Sequence, residues 1–211
     1  RDVRQLLAVK DLGLFQRFVK LCAARTGQIL NLSALGADCG IAHVTAREWL
    51  GVLEASYLVT LLRRYHRNYG KRLVKSPKLY FLDTGLAAYL LGIRDPASLG
   101  IHAQRGALFE TLVVSELIKA RFNAGRSADI HFWRDSTGHE VDVLFEDAAG
   151  KLQAVEVKSG ATFAGDWVDA IGRWQRLAGE EAGTPWIVYG GDESYQRQGV
   201  RAISWRDLPD A

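Results

Sequence analysis

Methionine is absent from this chain of 211 residues, which begins at Arg1. A sequence with neither an initiating nor an internal methionine is expected to be a piece of a longer protein. Cysteine is nearly absent too. Cys22 and Cys39 have no metal-binding or redox spacing and sit among apolar neighbours, so they read as buried free thiols in a reducing cytoplasm. No apolar run approaches the roughly 20 residues of a membrane span, and no signal-peptide pattern opens the chain, so no membrane partner is expected. A dominant charge is also lacking: 27 Lys and Arg against 24 Asp and Glu leave a net charge of +3. Any case for nucleic acid must therefore come from local clustering. Missing as well are a Cys/His cluster, a Ser-His-Asp order and a dinucleotide-type glycine fingerprint. There is no Gly-x-x-x-x-Gly-Lys-Ser/Thr loop, because Gly70-Lys71-Arg72 lacks the preceding glycine. ATP hydrolysis by these residues is not expected. His131 and His139 flank strand-like runs and read as structural.

What remains is ordinary globular material, 48% apolar and 24% charged, enough for one large or two small domains. Helical spacing marks Leu14 to Ala24, Leu32 to Ala37 and Thr45 to Ser56, the last opening on a Thr45/Glu48 capping box. Two strand-like runs follow, Tyr57 to Tyr65 and Lys78 to Leu82. Three helices with a short turn between the second and third, then two strands, predict a winged helix-turn-helix domain over residues 1–96. Between the strands lies the densest basic segment, with Arg63, Arg64, Arg67, Lys71, Arg72 and Lys75 interleaved with Tyr65 and Tyr69. That pattern suits phosphate contact with some stacking, and DNA is the expected partner. A solvated hairpin or a protein-docking wing would carry the same residues. Asp83 to Leu91 reads as a short helix, and Asp95-Pro96 as the start of a polar linker to about Arg105.

The second half, residues 97–211, reads as helix, three strands, helix, strand. Gly106 to Phe122 is helical, with Glu110 on the stripe shared by Val114 and Leu117, and Glu116 further along. A carboxylate on such a stripe needs a partner or a metal, although the helix dipole favours an acid early in a helix just as well. Ile130 to Arg134, His139 to Glu146 and Leu152 to Lys158 form an expected meander. Strict alternation puts Val141, Val143 and Phe145 on one face, while pairing gathers Asp142, Glu156 and Lys158 into one patch. Two carboxylates about 4 Å apart repel by roughly 4 kcal/mol at an effective dielectric near 20. Mg²⁺ or Mn²⁺ would relieve that, whereas an exposed edge hairpin would need no relief. Asp166 is expected to cap a helix carrying Trp167, Ile171, Trp174 and Gln175, with Pro185 to Gly190 and Val200 to Trp205 as later strands.

Asp142 followed by Glu156-Val157-Lys158, with an acidic helix upstream, resembles the PD-(D/E)XK nuclease superfamily. The resemblance implies an α/β (α+β) restriction-endonuclease-like core, a mixed sheet flanked by helices, and magnesium-dependent phosphodiester hydrolysis. It implies metal ligation by Asp142, Glu156 and the Val157 carbonyl, and catalytic roles for Glu110, Asp142, Glu156 and Lys158. Ala24-Arg25-Thr26-Gly27-Gln28, Trp49-Leu50-x-x-Leu53-Glu54 and the run from Asn68 to Leu86 resemble the C-terminal region of prokaryotic AAA-superfamily ATPases, and the resemblance implies a single domain of unknown function covering the whole of this chain. This second likeness implies an ATPase domain elsewhere in the parent chain as partner, with ATP bound only there. It leaves self-association open.

Overall fold

A computed structural model describes residues 11–65 and 76–208. The chain is mixed α/β and forms two compact units, the first from residues up to 61 and from 76–111, the second from 62–65 and from 112–208.

In the first unit, helix α1 (Leu12–Ala23) starts where the Asp11 carboxylate accepts the Leu14 N–H at 2.9 Å. Strand β1 (Gln28–Ile29) follows, and helix α2 (Leu32–Cys39) is capped in turn by Asn31. Gly40 ends α2 at φ 80°, a left-handed conformation that glycine adopts without strain. Its N–H reaches Ala37 O, and Ile41 N–H reaches Gly36 O at 2.9 Å. That closure starts helix α3 (His43–Ala55) directly after the turn, with Ala42 as N-cap and no side-chain cap bond. The expected Thr45/Glu48 capping box does not form, because Thr45 already lies inside the first turn. Phe15 and Phe18 meet Trp49 edge-on at 5.2 and 5.5 Å, and Cys22, Leu35, Cys39 and Leu53 complete the core. Both cysteines are buried and free, and burial pushes the Cys22 thiol up to about 12. Strands β2 (Val59–Arg64) and β3 (Lys78–Phe81) follow, β3 antiparallel to β1. Helix α4 (Thr84–Leu90) is capped by Asp83. The stretch expected as a polar linker is instead helix α5 (Pro96–Ile101): Asp95 accepts from Ser98 N–H at 2.8 Å, and Pro96 supplies a first-turn φ. Helix α6 (Arg105–Asn123) crosses the division between the units at Thr111.

The second unit contains β4 (Ile130–Arg134), β5 (Glu140–Glu146), β6 (Leu152–Lys158), helix α7 (Val168–Ala178), β7 (Trp186–Tyr189), β8 (Tyr195–Arg197) and β9 (Val200–Ser204). β4, β5 and β6 form an antiparallel meander; after α7 the chain returns as β7, parallel to β6, and β9 lies parallel to β7. The end of β2 joins β4 in parallel through Arg63 and Arg64. Trp174 and Ala178 of α7 pack on Val141, Leu144, Leu152 and Ala154. Burying a large apolar side chain of this kind contributes about 1.5–3 kcal/mol. Asp166 does not cap α7. It lies in a 3-10 turn, Gly165–Trp167, and α7 begins at Val168 without a side-chain cap.

Strict alternation in β5 also fails. His131 pairs with Leu144 but Trp133 pairs with Val141, so Asp142 and Val143 together oppose the single residue Phe132. This is a β-bulge. It turns Val141 onto the face of Leu144 and away from the expected partnership with Val143 and Phe145.

Candidate functional site

The bulge determines where Asp142 points. Regular β5–β6 pairing runs from Glu146↔Leu152 to Val143↔Val155, and two residues further along β6 the Val157 N–H donates to Asp142 Oδ2 at 2.9 Å. A side chain thus takes the strand's place beside β6. Because a strand residue directs its N–H and C=O toward the same neighbour, the Val157 carbonyl faces the gap that Asp142 occupies.

Glu156 and Lys158 are two apart and share a face of β6. The strand is internal, between β5 and β7, and Glu156 is 6% exposed, so the hairpin is not a solvated edge. Lys158 Nζ reaches Glu156 Oε1 at 2.8 Å. Burial works against the Lys158 charge, but Glu156, then Asp142 and Asp166, outweigh it and hold the ammonium above the usual lysine range. Lys158 is therefore a fixed cation at neutral pH, set among three carboxylates.

The donor set is made of oxygens. Among the described residues no three or more His, Cys, Asp or Glu side chains are gathered for one ion, and this patch offers two carboxylates. Two carboxylates and a carbonyl fit Mg²⁺ or Mn²⁺, since Mg²⁺ keeps several waters and takes one or two protein carboxylates.

The structure therefore brings together Asp142, Glu156, Val157 and Lys158. Glu110 belongs to the first unit, where its Oε1 receives Lys78 Nζ at 2.9 Å and the Tyr80 hydroxyl. Lys78 is 4% exposed and Tyr80 fully buried, so this acid is committed to partners of its own unit. Glu116 pairs with Lys119 at the surface. Arg63 is exposed and Arg64 half-buried, while Arg67, Lys71, Arg72 and Lys75 lie outside the described residues. Gln175 is half-buried on α7. His131 Nε2 lies 3.0 Å from Asp129.

One cluster was not anticipated. Asp135 follows β4, and its Oδ1 accepts from the Thr137 N–H, the Thr137 hydroxyl and the His139 N–H at 2.8, 2.8 and 2.9 Å. Its Oδ2 lies 3.2 Å from His139 Nδ1 and 3.3 Å from Arg173 Nη2. Burial raises its pKa, but the Thr137 hydroxyl, the two backbone amides and His139 prevail and bring it to about 2. Asp-Ser-Thr-Gly is a recognisable Asx-turn sequence, whereas nothing in the sequence announces that Arg173 of α7 closes over it.

Fold and site define the class: a two-unit mixed α/β chain whose second unit carries an Asp-Glu-Lys patch on two adjacent internal strands. Residues 1–97 match the family model described as Domain of unknown function (DUF8612), and residues 105–208 that of Domain of unknown function (DUF4143). The likeness read as one domain across the whole chain thus divides into two. Uncharacterized proteins of Mycobacterium tuberculosis and Mycobacterium bovis are each 32% identical over 162 residues, covering 77% of this chain. The matched stretch spans 36% of the length of those relatives. No helix among the described residues is long and apolar enough to cross a membrane.

Proposed function

We infer that this chain is the DNA-acting portion of an AAA-type ATPase, with a metal-dependent phosphodiester hydrolysis site at Asp142, Glu156 and Lys158. The observation that carries the reading is the bulge that docks the Asp142 carboxylate on the Val157 N–H, beside a Glu156–Lys158 pair on an internal strand. A costly arrangement of buried charge at a bulge is characteristic of functional sites. The meander, crossover helix and parallel return strand support assigning the second unit to the PD-(D/E)XK nuclease type. The short α2–α3 turn followed by β2 and β3 supports a winged helix in the N-terminal half, and Arg63 and Arg64, which lie in the second unit beside β4, open the basic segment that follows β2. The greater length of the mycobacterial relatives leaves room for the ATPase domain.

Asp142, Glu156 and the Val157 carbonyl would hold Mg²⁺ or Mn²⁺, which when bound supplies an activated water and charge for the phosphoryl oxygens. Lys158 contributes a permanent positive charge toward the developing oxyanion. Glu156 orients that lysine, and the bulge keeps Asp142 in register.

A second reading is favoured by the ion pair itself. Lys158 already neutralises Glu156, so the unit is complete as a non-catalytic scaffold for nucleic acid or protein. Melting with and without millimolar Mn²⁺ separates the two. An ion that binds only the folded form stabilises by RT ln(1 + [L]/Kd), about 2.7 kcal/mol at a hundredfold excess over Kd. The hydrolytic reading predicts that Mn²⁺ raises wild-type Tm by a few degrees, as about 1 kcal/mol would. It also predicts that Asp142→Ala and Glu156→Ala erase the response. A wild-type Tm indifferent to Mn²⁺ selects the scaffold.

A further inference from the structure

The Asp135 cluster has a determinate proton arrangement. The Thr137 hydroxyl has one proton, and donates it to Asp135 Oδ1 at 2.8 Å. Its other contact, with His139 Nδ1 at 2.8 Å, can then only be one in which the hydroxyl accepts. Nδ1 therefore carries the imidazole proton, with Asp135 Oδ2 also within 3.2 Å. Nε2 is left as the lone-pair nitrogen, and the group facing it is Arg173 Nη1 at 3.3 Å. Both side chains open to solvent, His139 at 44% and Arg173 at 42% exposure, while Asp135 is largely covered at 16%. A turn between two strands needs neither a tautomer fixed from behind nor an arginine delivered by another element. His139 stands three residues before Asp142, on the segment that enters β5.

We propose that His139 and Arg173 form a phosphate-binding pair, engaged when His139 is protonated, that takes a non-scissile backbone phosphate of a nucleic-acid strand at the margin of the Asp142 site. This rests on the nucleic-acid reading above. With His139 neutral, Asp135 and Arg173 cancel, and Arg173 donates to Nε2. Uptake of one solvent proton converts Nε2 to a donor and removes the acceptor that Arg173 was using. Two cationic donors then stand side by side with one carboxylate behind them. An oxyanion between them accepts from both and offsets the excess charge. The other groups facing the ring are Thr137 and Asp135 from the turn, with the Arg134–Glu140 pair at 3.2 Å on the flanking strand positions. No covalent step is involved.

The test follows the imidazole resonances of the protein by NMR as a function of pH, with the signal of His139 among the five histidines identified by its loss in His139→Gln. Neutral His139 should be the Nδ1–H tautomer. Saturating inorganic phosphate should raise its titration midpoint by about one pH unit, equivalent to about tenfold tighter binding by the protonated form. Arg173→Gln should abolish that shift, and Arg173→Lys should keep part of it. A short single-stranded DNA should produce the same shift at lower concentration than phosphate. An unmoved midpoint, or an equal shift in Arg173→Gln, overturns the site. A response to phosphate without one to DNA assigns a free phosphate and overturns the backbone-phosphate assignment. The readout needs no cleavage, so its failure leaves the hydrolytic reading standing, and failure of hydrolysis leaves this pair standing.

Discussion

Asp135 and Lys158 are linked to pH in opposite senses. Asp135 titrates near 2 in the folded chain against about 3.9 for an unfolded aspartate, so the stability it contributes is present above about pH 4 and is lost as pH falls through its folded value. The difference in unfolding free energy between wild type and Asp135→Asn should therefore shrink between about pH 4 and pH 2. Urea denaturation across that range measures it, and a difference independent of pH contradicts the assignment. Lys158 is shifted upward, so its contribution is full below about 10.4 and fades only as pH rises through its higher folded value. Replacing it removes the ammonium that lies against Glu156 and beside Asp142. Removing one partner of a fully buried pair costs about 3–5 kcal/mol. The Lys158 side chain is 34% exposed, and screening brings the expected loss for Lys158→Ala down to roughly 1–2 kcal/mol. Mn²⁺ should recover part of that loss, and a metal-independent deficit would make the lysine purely structural.

Among the elements, the ends of β6 and β7 close tightly on each other where the candidate site ends. Gly190 N–H donates to the Lys158 and Gly160 carbonyls at 3.1 and 3.0 Å, and a Cβ at Gly190 would stand 2.7 Å from Ser159 O. Gly190→Ala should cost about 1–3 kcal/mol by overpacking, and should lower activity because Lys158 is displaced with the strand. Gly40→Ala strains only the left-handed turn, at about 1–2 kcal/mol, and should leave activity per folded molecule unchanged. Urea midpoints and specific activity distinguish the two effects, and a Gly190→Ala protein with wild-type activity would dissociate strand closure from the site. These elements also mark how far the sequence could be read. The hairpin carrying Asp142, Glu156 and Lys158 was visible because period-two alternation survives on β6, and the α7 stripe because Ile171 and Trp174 keep helical spacing. The bulge was not visible: its extra residue is a matter of register against β4, and Asp142-Val143 alternates as smoothly as any regular strand. Helix α5 was obscured because Asp95-Pro96 reads equally as a loop opening and as an N-cap followed by a first-turn proline. Helical spacing sets Glu110, half-buried, beside the buried Val114 and Leu117, but its ion-pair partner Lys78 is distant in sequence and supplied by tertiary packing. The role of Arg173 depends on where α7 crosses the sheet.

For the whole molecule, the proposed function divides binding from chemistry: a basic segment beginning at Arg63 would hold the strand, and the patch of Asp142 on β5 with Glu156 and Lys158 on β6 would act on it. If Arg63 and Lys71 contact phosphates, replacing both with alanine should flatten the salt dependence of DNA binding by about 0.9 per charge removed. Cleavage at saturating DNA should be unaffected. An unchanged slope would move that segment to protein docking or solubility. The central claim, that Asp142, Glu156 and Lys158 form a metal-dependent hydrolytic site, is tested most directly by cleavage of plasmid and single-stranded DNA in Mn²⁺. Wild type would be compared with Asp142→Ala at equal folded concentration and in the presence of chelator, both alone and within the longer parent chain that the resemblance implies. The account predicts cleavage by wild type that chelator abolishes and that Asp142→Ala lowers by at least about a hundredfold, with DNA binding retained. Equal cleavage by both proteins, or none by wild type in either context, would contradict it.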